Sequence, residues 1–162
     1  MIFVTLGSQK FQFNRLLIEL DKLVNEGQIK AGIYAQIGYS DYIPKYYRYE
    51  KFLDREQYED ALQKSDIVIT HAGTGAIIGA VTKGKKVIAI PRLKKYGEHV
   101  DDHQLEILKQ FEEMHIICPC YTCDDLMGIL TGIEDIKLHA YPSNTKRMID
   151  DLDHAIKELI EQ

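Results

Sequence analysis

The sequence alternates short apolar runs with segments of helical periodicity, and this alternation constrains the fold more than any other feature. Six runs predict strands: Ile2–Leu6, Ala31–Ile37, Tyr46–Phe52, Asp66–Thr70, Lys86–Ile90 and His115–Cys118. Helices are predicted between and after them, at 13–24, 55–64 (with Asp54 as its N-cap), from HAGTGA to about 83, and at 101–112, 123–130 and 144–160. Apolar strands that alternate with helices are typical of a parallel sheet covered on both faces. We therefore expect an α/β, Rossmann-like fold.

The chain of 162 residues has the length of one domain, and no linker or repeat divides it. Residues 1–162 are therefore predicted to form a single domain. No apolar run approaches the roughly 18–20 residues that span a bilayer, and MIFVTLGSQ lacks the basic and long apolar regions of a signal peptide. We expect a cytoplasmic protein. Segment 144–162 is predicted as a C-terminal helix whose apolar stripe either packs in the core or docks a partner.

The charge of the chain is unevenly distributed. A formal net charge of −5 argues against nucleic acid as a partner. Between Lys83 and Lys95, however, lie six lysines and arginines and no acid. Because screening acts over about 8 Å at physiological salt, such a cluster affects a nearby anion more than the total charge does. The cluster either attracts an anionic ligand or forms a solvated edge, and the sequence leaves both open.

Three cysteines, Cys118, Cys120 and Cys123, lie close together near the end of the last predicted strand. An odd, clustered set in a chain without a secretion signal is expected to consist of free thiols. A zinc site would need a fourth ligand, and His115 is the only near candidate. The spacing matches no zinc knuckle well, so we expect no metal site here.

Two predicted loops follow strands at the edge where parallel sheets bind ligands, outside the carboxyl ends of the strands. In the first, Gly7 allows close backbone approach, and Ser8 and Gln9 can hydrogen-bond a phosphate or a sugar hydroxyl. The second, His71-Ala72-Gly73-Thr74-Gly75, opens a predicted helix, where free amides favour an anion. Each hydrogen bond to a charged oxygen contributes about 1.5–3 kcal/mol, against about 0.3–1 kcal/mol for the helix dipole.

Structural interpretations of both loops stay open. The first suits a plain turn, and the glycines of the second also permit tight strand-to-helix packing, with His71 as a strand-end residue bonded to backbone. The full G-x-G-x-x-G and P-loop patterns are absent.

A third loop, from Pro91 to Gln104, is rich in polar residues. Its last three, Asp102, His103 and Gln104, begin a predicted helix and can present a carboxylate, an imidazole and an amide to one ligand. A metal cluster can also be drawn from Glu98, His99, Asp101 and His103. Capping and a solvated loop account better for several of these residues.

The ordered set GSQ, HAGTG, GKKVIAIPR and DDHQ resembles the C-terminal, donor-binding half of GT-B glycosyltransferases, the glycosyltransferase family 28 C-terminal domain. The resemblance covers roughly residues 2–117. It is closer to the small catalytic subunit of the eukaryotic two-subunit UDP-GlcNAc transferase. The stretch PRLKKYGEHVDDHQLE is most similar to bacterial capsule and exopolysaccharide proteins of the same split type.

This resemblance implies half of a GT-B enzyme, one nucleotide-sugar-binding domain that holds a UDP-sugar with no metal and no other cofactor. The second loop would hold the diphosphate, the first would lie near the diphosphate and sugar, and the third would reach sugar hydroxyls. The implied donor-binding residues are Gly7, Ser8, Gln9, His71, Gly73, Thr74, Gly75, Asp102, His103 and Gln104. Eukaryotic relatives bind the ribose with a glutamate that corresponds here to Gly79, which leaves ribose binding and the choice of sugar open.

A split enzyme also needs its other half. The implied partner is a membrane-associated subunit that binds a lipid-linked saccharide acceptor, supplies the general base and recruits this chain to the inner face of the membrane. The implied activity is hexose transfer from a UDP-sugar in capsule or exopolysaccharide synthesis. The alternative, motivated by Gly79, is a non-catalytic enhancer or anchor of a partner transferase. A nucleotide-sugar epimerase or dehydrogenase is disfavoured, because the sequence lacks a G-x-x-G pattern after the first strand.

Overall fold

The computed structural model describes residues 1–142, which contain a six-stranded, all-parallel sheet in the order β3-β2-β1-β4-β5-β6. Its strands are β1 (Ile2–Thr5), β2 (Ile33–Gln36), β3 (Arg48–Glu50), β4 (Ile67–His71), β5 (Lys86–Ile90) and β6 (Cys118–Pro119). The strand order reverses between β1 and β4, which makes a crevice at their carboxyl ends. This doubly wound order confirms the predicted Rossmann-like fold.

Within the described part of the chain, five α-helices follow these strands: α1 (Asn14–Asn25), α2 (Arg55–Lys64), α3 (Thr74–Val81), α4 (His103–Glu113) and α5 (Leu126–Gly132). The predicted start of α2 is confirmed by a capping box at Asp54. The Asp54 carboxylate accepts a hydrogen bond from the Gln57 amide, and the Gln57 side chain accepts one from the Asp54 amide.

The sheet separates two apolar cores because neighbouring strand residues point to opposite faces. Val4 and Ile69 face one core, which α1 and α5 cover. Their neighbours Phe3 and Val68 face the other core, which α2, α3 and α4 cover. The loops after β1, β4 and β5 therefore meet at one edge, held from both sides.

The last strand is shorter than predicted. The sequence predicts His115–Cys118, but only Cys118 and Pro119 pair with β5. His115 has a left-handed backbone (φ 56°), and its amide donates to the Glu112 carbonyl in the turn that ends α4. The apolar residues Ile116 and Ile117, which follow His115, are buried but do not pair with β5. Their hydrophobicity therefore reflects packing in the core and not strand pairing.

The third strand is also shorter than the predicted Tyr46–Phe52. The buried carboxylate of Asp21 accepts hydrogen bonds from the amides of Lys45 and Tyr46, at 2.8 and 3.0 Å, and from the Tyr42 hydroxyl at 2.7 Å. These bonds hold the preceding loop against α1 instead of extending the sheet.

The remaining predictions concern the cysteines and the C-terminus. The three cysteines are buried free thiols, as predicted, and burial raises the pKa of Cys120 to about 12 and that of Cys123 to about 11. The predicted helix at 144–160, with its docking role, lies outside the described residues. Within residues 1–142, no helix combines the length and apolarity needed to cross a membrane.

Candidate functional site

A cleft of about 580 Å³ opens at the carboxyl edge of the sheet, between the ends of β1 and β4. Its volume lies within the usual range for small-molecule sites, about 300–1,000 Å³. Every predicted site residue except Asp102 lines it: Gly7, Ser8, Gln9, His71, Gly73, Thr74, Gly75, His103 and Gln104. Gln36, Tyr58, His99 and Ile107, which the sequence did not select as ligand-binding residues, also contribute to its walls.

The imidazole of His71 lies between two glycines of the site. A Cβ at Gly7 would stand 2.7 Å from His71 Cε1, and a Cβ at Gly73 would collide with Nε2. Gly7 also has a left-handed backbone (φ 71°), which favours glycine for a second reason. Gly7 and Gly73 therefore make room for the protein's own imidazole, the packing role that the sequence left open.

His71 is held as a neutral ring. Burial, and next the positive charge of Arg92, lower its pKa from 6.5 to about 4. The Thr70 hydroxyl donates to the Thr5 carbonyl at 2.8 Å, so its oxygen is left to accept from Nδ1 of His71 at 3.3 Å. At neutral pH His71 is therefore uncharged, with its proton on Nδ1.

The start of α3 presents unpaired amides to the cleft. Gly73 is the N-cap and no side chain caps the helix; its first internal hydrogen bond runs from the Ile77 amide to the Gly73 carbonyl. The amides of Thr74, Gly75 and Ala76 are thus left for a ligand or water, and all three residues line the cleft. Gly75 has no atom within 4 Å of its Cβ position. This is the geometry of an anion site at a helix N-terminus.

Arg92 ties the first loop to the third from beneath the cleft. Its side chain is 1% exposed and donates to the Leu6 carbonyl at 2.7 Å and the Phe11 carbonyl at 3.2 Å, on either side of Gly7–Gln9. Its amide donates to the Gln104 side chain at 3.0 Å. Nε and Nη1 are buried without a partner among the described residues. Burial lowers the pKa of Arg92 to about 10, which leaves it charged at neutral pH.

Glu98 holds the middle of the third loop and is also buried. One of its oxygens accepts from Arg15 Nε at 2.7 Å, and the other accepts from the Leu93 amide at 2.9 Å. Arg15 also donates to the Pro91 carbonyl at 2.6 Å. This residue of α1 therefore holds the third loop both at Pro91 and at Glu98.

The third loop delivers only part of its predicted triad to the cleft. Gln104 and His103 line the cleft, and the side-chain oxygen Oε1 of Gln104 accepts a hydrogen bond from the Arg92 amide. Asp102 does not line it: its carboxylate accepts a hydrogen bond from the Lys94 amide at 2.8 Å. The structure therefore places Asp102 outside the cleft that His103 and Gln104 line, because the Asp102 carboxylate closes its own loop.

The basic cluster does not act as one surface. Lys83 pairs with Glu59, Lys85 donates to the Ser65 carbonyl, and Lys86 donates to the Ile133 carbonyl, all at the edge of the sheet opposite the cleft. Arg92 is buried below the cleft. Within residues 1–142, no group of three or more His, Cys, Asp or Glu side chains is placed to share a metal ion.

The fold and the cleft together define a class of protein: a Rossmann-type domain that presents an uncapped helix N-terminus to a cleft at the switch point of its sheet. Residues 1–160 match the model of the glycosyltransferase family 28 C-terminal domain, and the chain belongs to this family.

The curated proteins that this chain resembles in sequence share one name. The UDP-N-acetylglucosamine transferase subunit ALG13 of Homo sapiens is 32% identical over 130 residues, which cover 74% of this chain and 11% of that protein. The Candida albicans protein of the same name is 37% identical over 89 residues, 55% of this chain and 29% of that protein. This chain thus spans between about a tenth and about a third of the length of these relatives.

Solved structures share the fold. MurG of Acinetobacter baumannii superposes with a TM-score of 0.61 at 20% identity, over 93% of this chain and 48% of MurG. The NMR solution structure of ALG13 superposes with a TM-score of 0.58 at 19% identity, over 93% of both chains. At these identities the matches show that the fold is shared, which agrees with the predicted Rossmann-like architecture.

Proposed function

We propose that this chain is the UDP-sugar-binding subunit of a two-component glycosyltransferase. One observation carries the proposal: in a domain of glycosyltransferase family 28, the unpaired amides of Thr74, Gly75 and Ala76 open onto a cleft large enough for a nucleotide-sugar. Each such amide contributes about 1.5–3 kcal/mol when it binds a charged oxygen, so the three together can hold a diphosphate without a metal.

The cleft supports a division of labour between two chains. Its described lining contains no carboxylate, and burial together with Arg92 lowers the pKa of His71 to about 4, which makes its imidazole a weak base. A base that deprotonates an acceptor hydroxyl is therefore proposed to come from the partner. This domain corresponds to 48% of MurG, which agrees with half of an enzyme. The chain's own contribution is to position the donor and stabilise the departing UDP.

The partner and setting are part of the same proposal. Relatives named as subunits of a UDP-N-acetylglucosamine transferase support partner dependence and UDP-GlcNAc as the first donor to test. We propose a membrane-associated partner that binds a lipid-linked saccharide and recruits this cytoplasmic chain to the inner face of the membrane. Capsule or exopolysaccharide synthesis is the proposed setting, on the resemblance of PRLKKYGEHVDDHQLE.

Isothermal titration with UDP tests donor binding. Gly75→Leu places a bulky side chain over the free amides without meeting another atom at Cβ, and Gly128→Leu makes the same change at an open position of α5. We expect Gly75→Leu to weaken UDP binding about tenfold or more, and Gly128→Leu to leave it unchanged. Absence of UDP binding by the chain, both alone and with its partner, would refute the proposal.

Gly79 favours a second candidate, a non-catalytic enhancer of a partner transferase. Nothing lies within 4 Å of its Cβ position, so the place that carries a ribose-binding glutamate according to the family resemblance is open here. Under this alternative, transfer by the partner requires the chain but tolerates Gly75→Leu and Gln104→Ala. Loss of transfer in both variants, with the complex intact, favours the donor-binding role.

A further inference from the structure

His99 and Asp101 form a carboxylate–imidazole pair at the wall of the cleft. His99 Nδ1 lies 2.8 Å from Asp101 Oδ1, and the His99 side chain is 14% exposed and lines the cleft. The same Asp101 oxygen accepts the His103 amide at 3.1 Å, which fixes the carboxylate at the start of α4. The ring of Phe11 packs against the imidazole with centroids 4.7 Å apart.

This arrangement fixes which nitrogen faces the ligand. An imidazole that donates from Nδ1 to a carboxylate is held in one tautomer and one orientation. Nε2 makes no hydrogen bond to any of the described residues, and when protonated it is a charged donor.

His99 matters because few side chains that line the cleft can carry a positive charge. The lining residues within 1–142 include no lysine, arginine, aspartate or glutamate, so the side chains that can become cationic there are His71, His99 and His103. His71 stays neutral because burial and Arg92 lower its pKa to about 4. Arg92 is charged, but its guanidinium lies beneath the first loop and does not line the cleft. The nearby carboxylate of Glu98 is already paired with Arg15.

His103 is the weaker of the two remaining candidates. Its side chain is 61% exposed and its Nδ1 lies 3.2 Å from Glu106 Oε2, on the solvent side of the same helix turn. His99 is more enclosed: its ring packs against Phe11 and is held by Asp101. A cation in that setting interacts with an anion more strongly than one in bulk water.

We propose that His99, braced by Asp101, is a pH-dependent cation that holds the diphosphate of the donor opposite the amides of α3. This inference rests on the proposed function, to which it adds one donor-binding residue and a dependence of donor binding on pH. Donor affinity then rises as pH falls through the range in which histidine changes charge, and binding takes up a proton from solution.

The experiment is calorimetric titration of the wild-type chain and of His99→Gln with UDP, in buffers of different ionisation enthalpy, between about pH 6 and about pH 8.5. UDP itself titrates in this range, and comparison of the two proteins cancels that contribution. Glutamine keeps a hydrogen-bond donor and removes the charge. His139→Gln is the matched control, because His139 is exposed and pairs with His115 away from the cleft.

We expect wild type and His139→Gln to bind UDP about tenfold more tightly at the acid end than His99→Gln does, with proton uptake that His99→Gln lacks. Asp101→Asn should reduce the same effect. If all the proteins bind UDP with the same pH dependence and proton uptake, this inference is overturned while the proposed function stands. If wild type binds no UDP at any pH, both fall.

Discussion

The imidazole of His71 occupies the space that a side chain at Gly73 would need. Gly73→Ala must therefore displace the ring from between the loops after β1 and β4, at a cost of about 1–3 kcal/mol in the free energy of unfolding. Gly75→Ala meets nothing within 4 Å and lies in the first turn of α3, so it should be neutral or stabilising by up to about 1 kcal/mol. Urea denaturation of the two variants measures the difference. Equal stabilities would contradict the packing of His71 against Gly73.

Acid should destabilise the protein through His71. Its pKa is lowered from 6.5 to about 4 in the folded state, chiefly by burial and next by Arg92. Between these two pH values, His71 is therefore protonated in the unfolded chain and neutral in the folded protein. Stability from this group is complete above pH 6.5 and is lost as pH falls towards 4, by about 3 kcal/mol in total. The free energy of unfolding, measured against pH, should fall more steeply in wild type than in His71→Asn. Parallel profiles would show that His71 protonates normally in the folded protein.

Arg92→Met separates the two effects of the buried guanidinium. Methionine loses the hydrogen bonds to Leu6 and Phe11 but removes a buried charge with two unpartnered nitrogens. These terms oppose each other, so we expect stability to change by less than about 2 kcal/mol. The pKa of His71 should rise above about 4 but stay below 6.5, because burial is the larger cause of its depression.

The measurement for Arg92→Met is an NMR titration of the histidine ring protons. Lys95→Met is the control, since Lys95 is exposed in the same loop and lies over the Tyr96 ring. An unchanged His71 pKa in Arg92→Met would show that the guanidinium charge does not reach the site.

Local patterns in the sequence were enough to predict the scaffold of the site. Alternating apolar runs place β4 and β5, Asp54 fixes the start of α2, and HAGTG does precede an uncapped helix at the switch point. Each of these features depends on residues adjacent in the chain.

Contacts between distant residues were beyond such patterns. Arg92 appears in the sequence as one cation of a basic cluster, and its burial depends on carbonyls of Leu6 and Phe11, which are 86 and 81 positions away. Asp102 looks as available as its neighbours His103 and Gln104, and only the path of the loop back to Lys94 removes it from the cleft. The contacts that hold the site together are therefore tertiary contacts, although the residues that make them belong to motifs visible in the sequence.

Glu98 should prove to be the residue that fixes the third loop. Glu98→Gln keeps the shape but removes the buried charge that faces Arg15 at 2.7 Å. We expect this to cost about 3 kcal/mol in the free energy of unfolding, because the partly buried Arg15 is left unpaired. The double variant Glu98→Gln with Arg15→Met should recover much of that loss, because no unpaired cation remains. Urea denaturation of the four proteins of this cycle gives the coupling energy. A cost below about 1 kcal/mol for Glu98→Gln, the value typical of surface pairs, would show that the carboxylate does not anchor the loop.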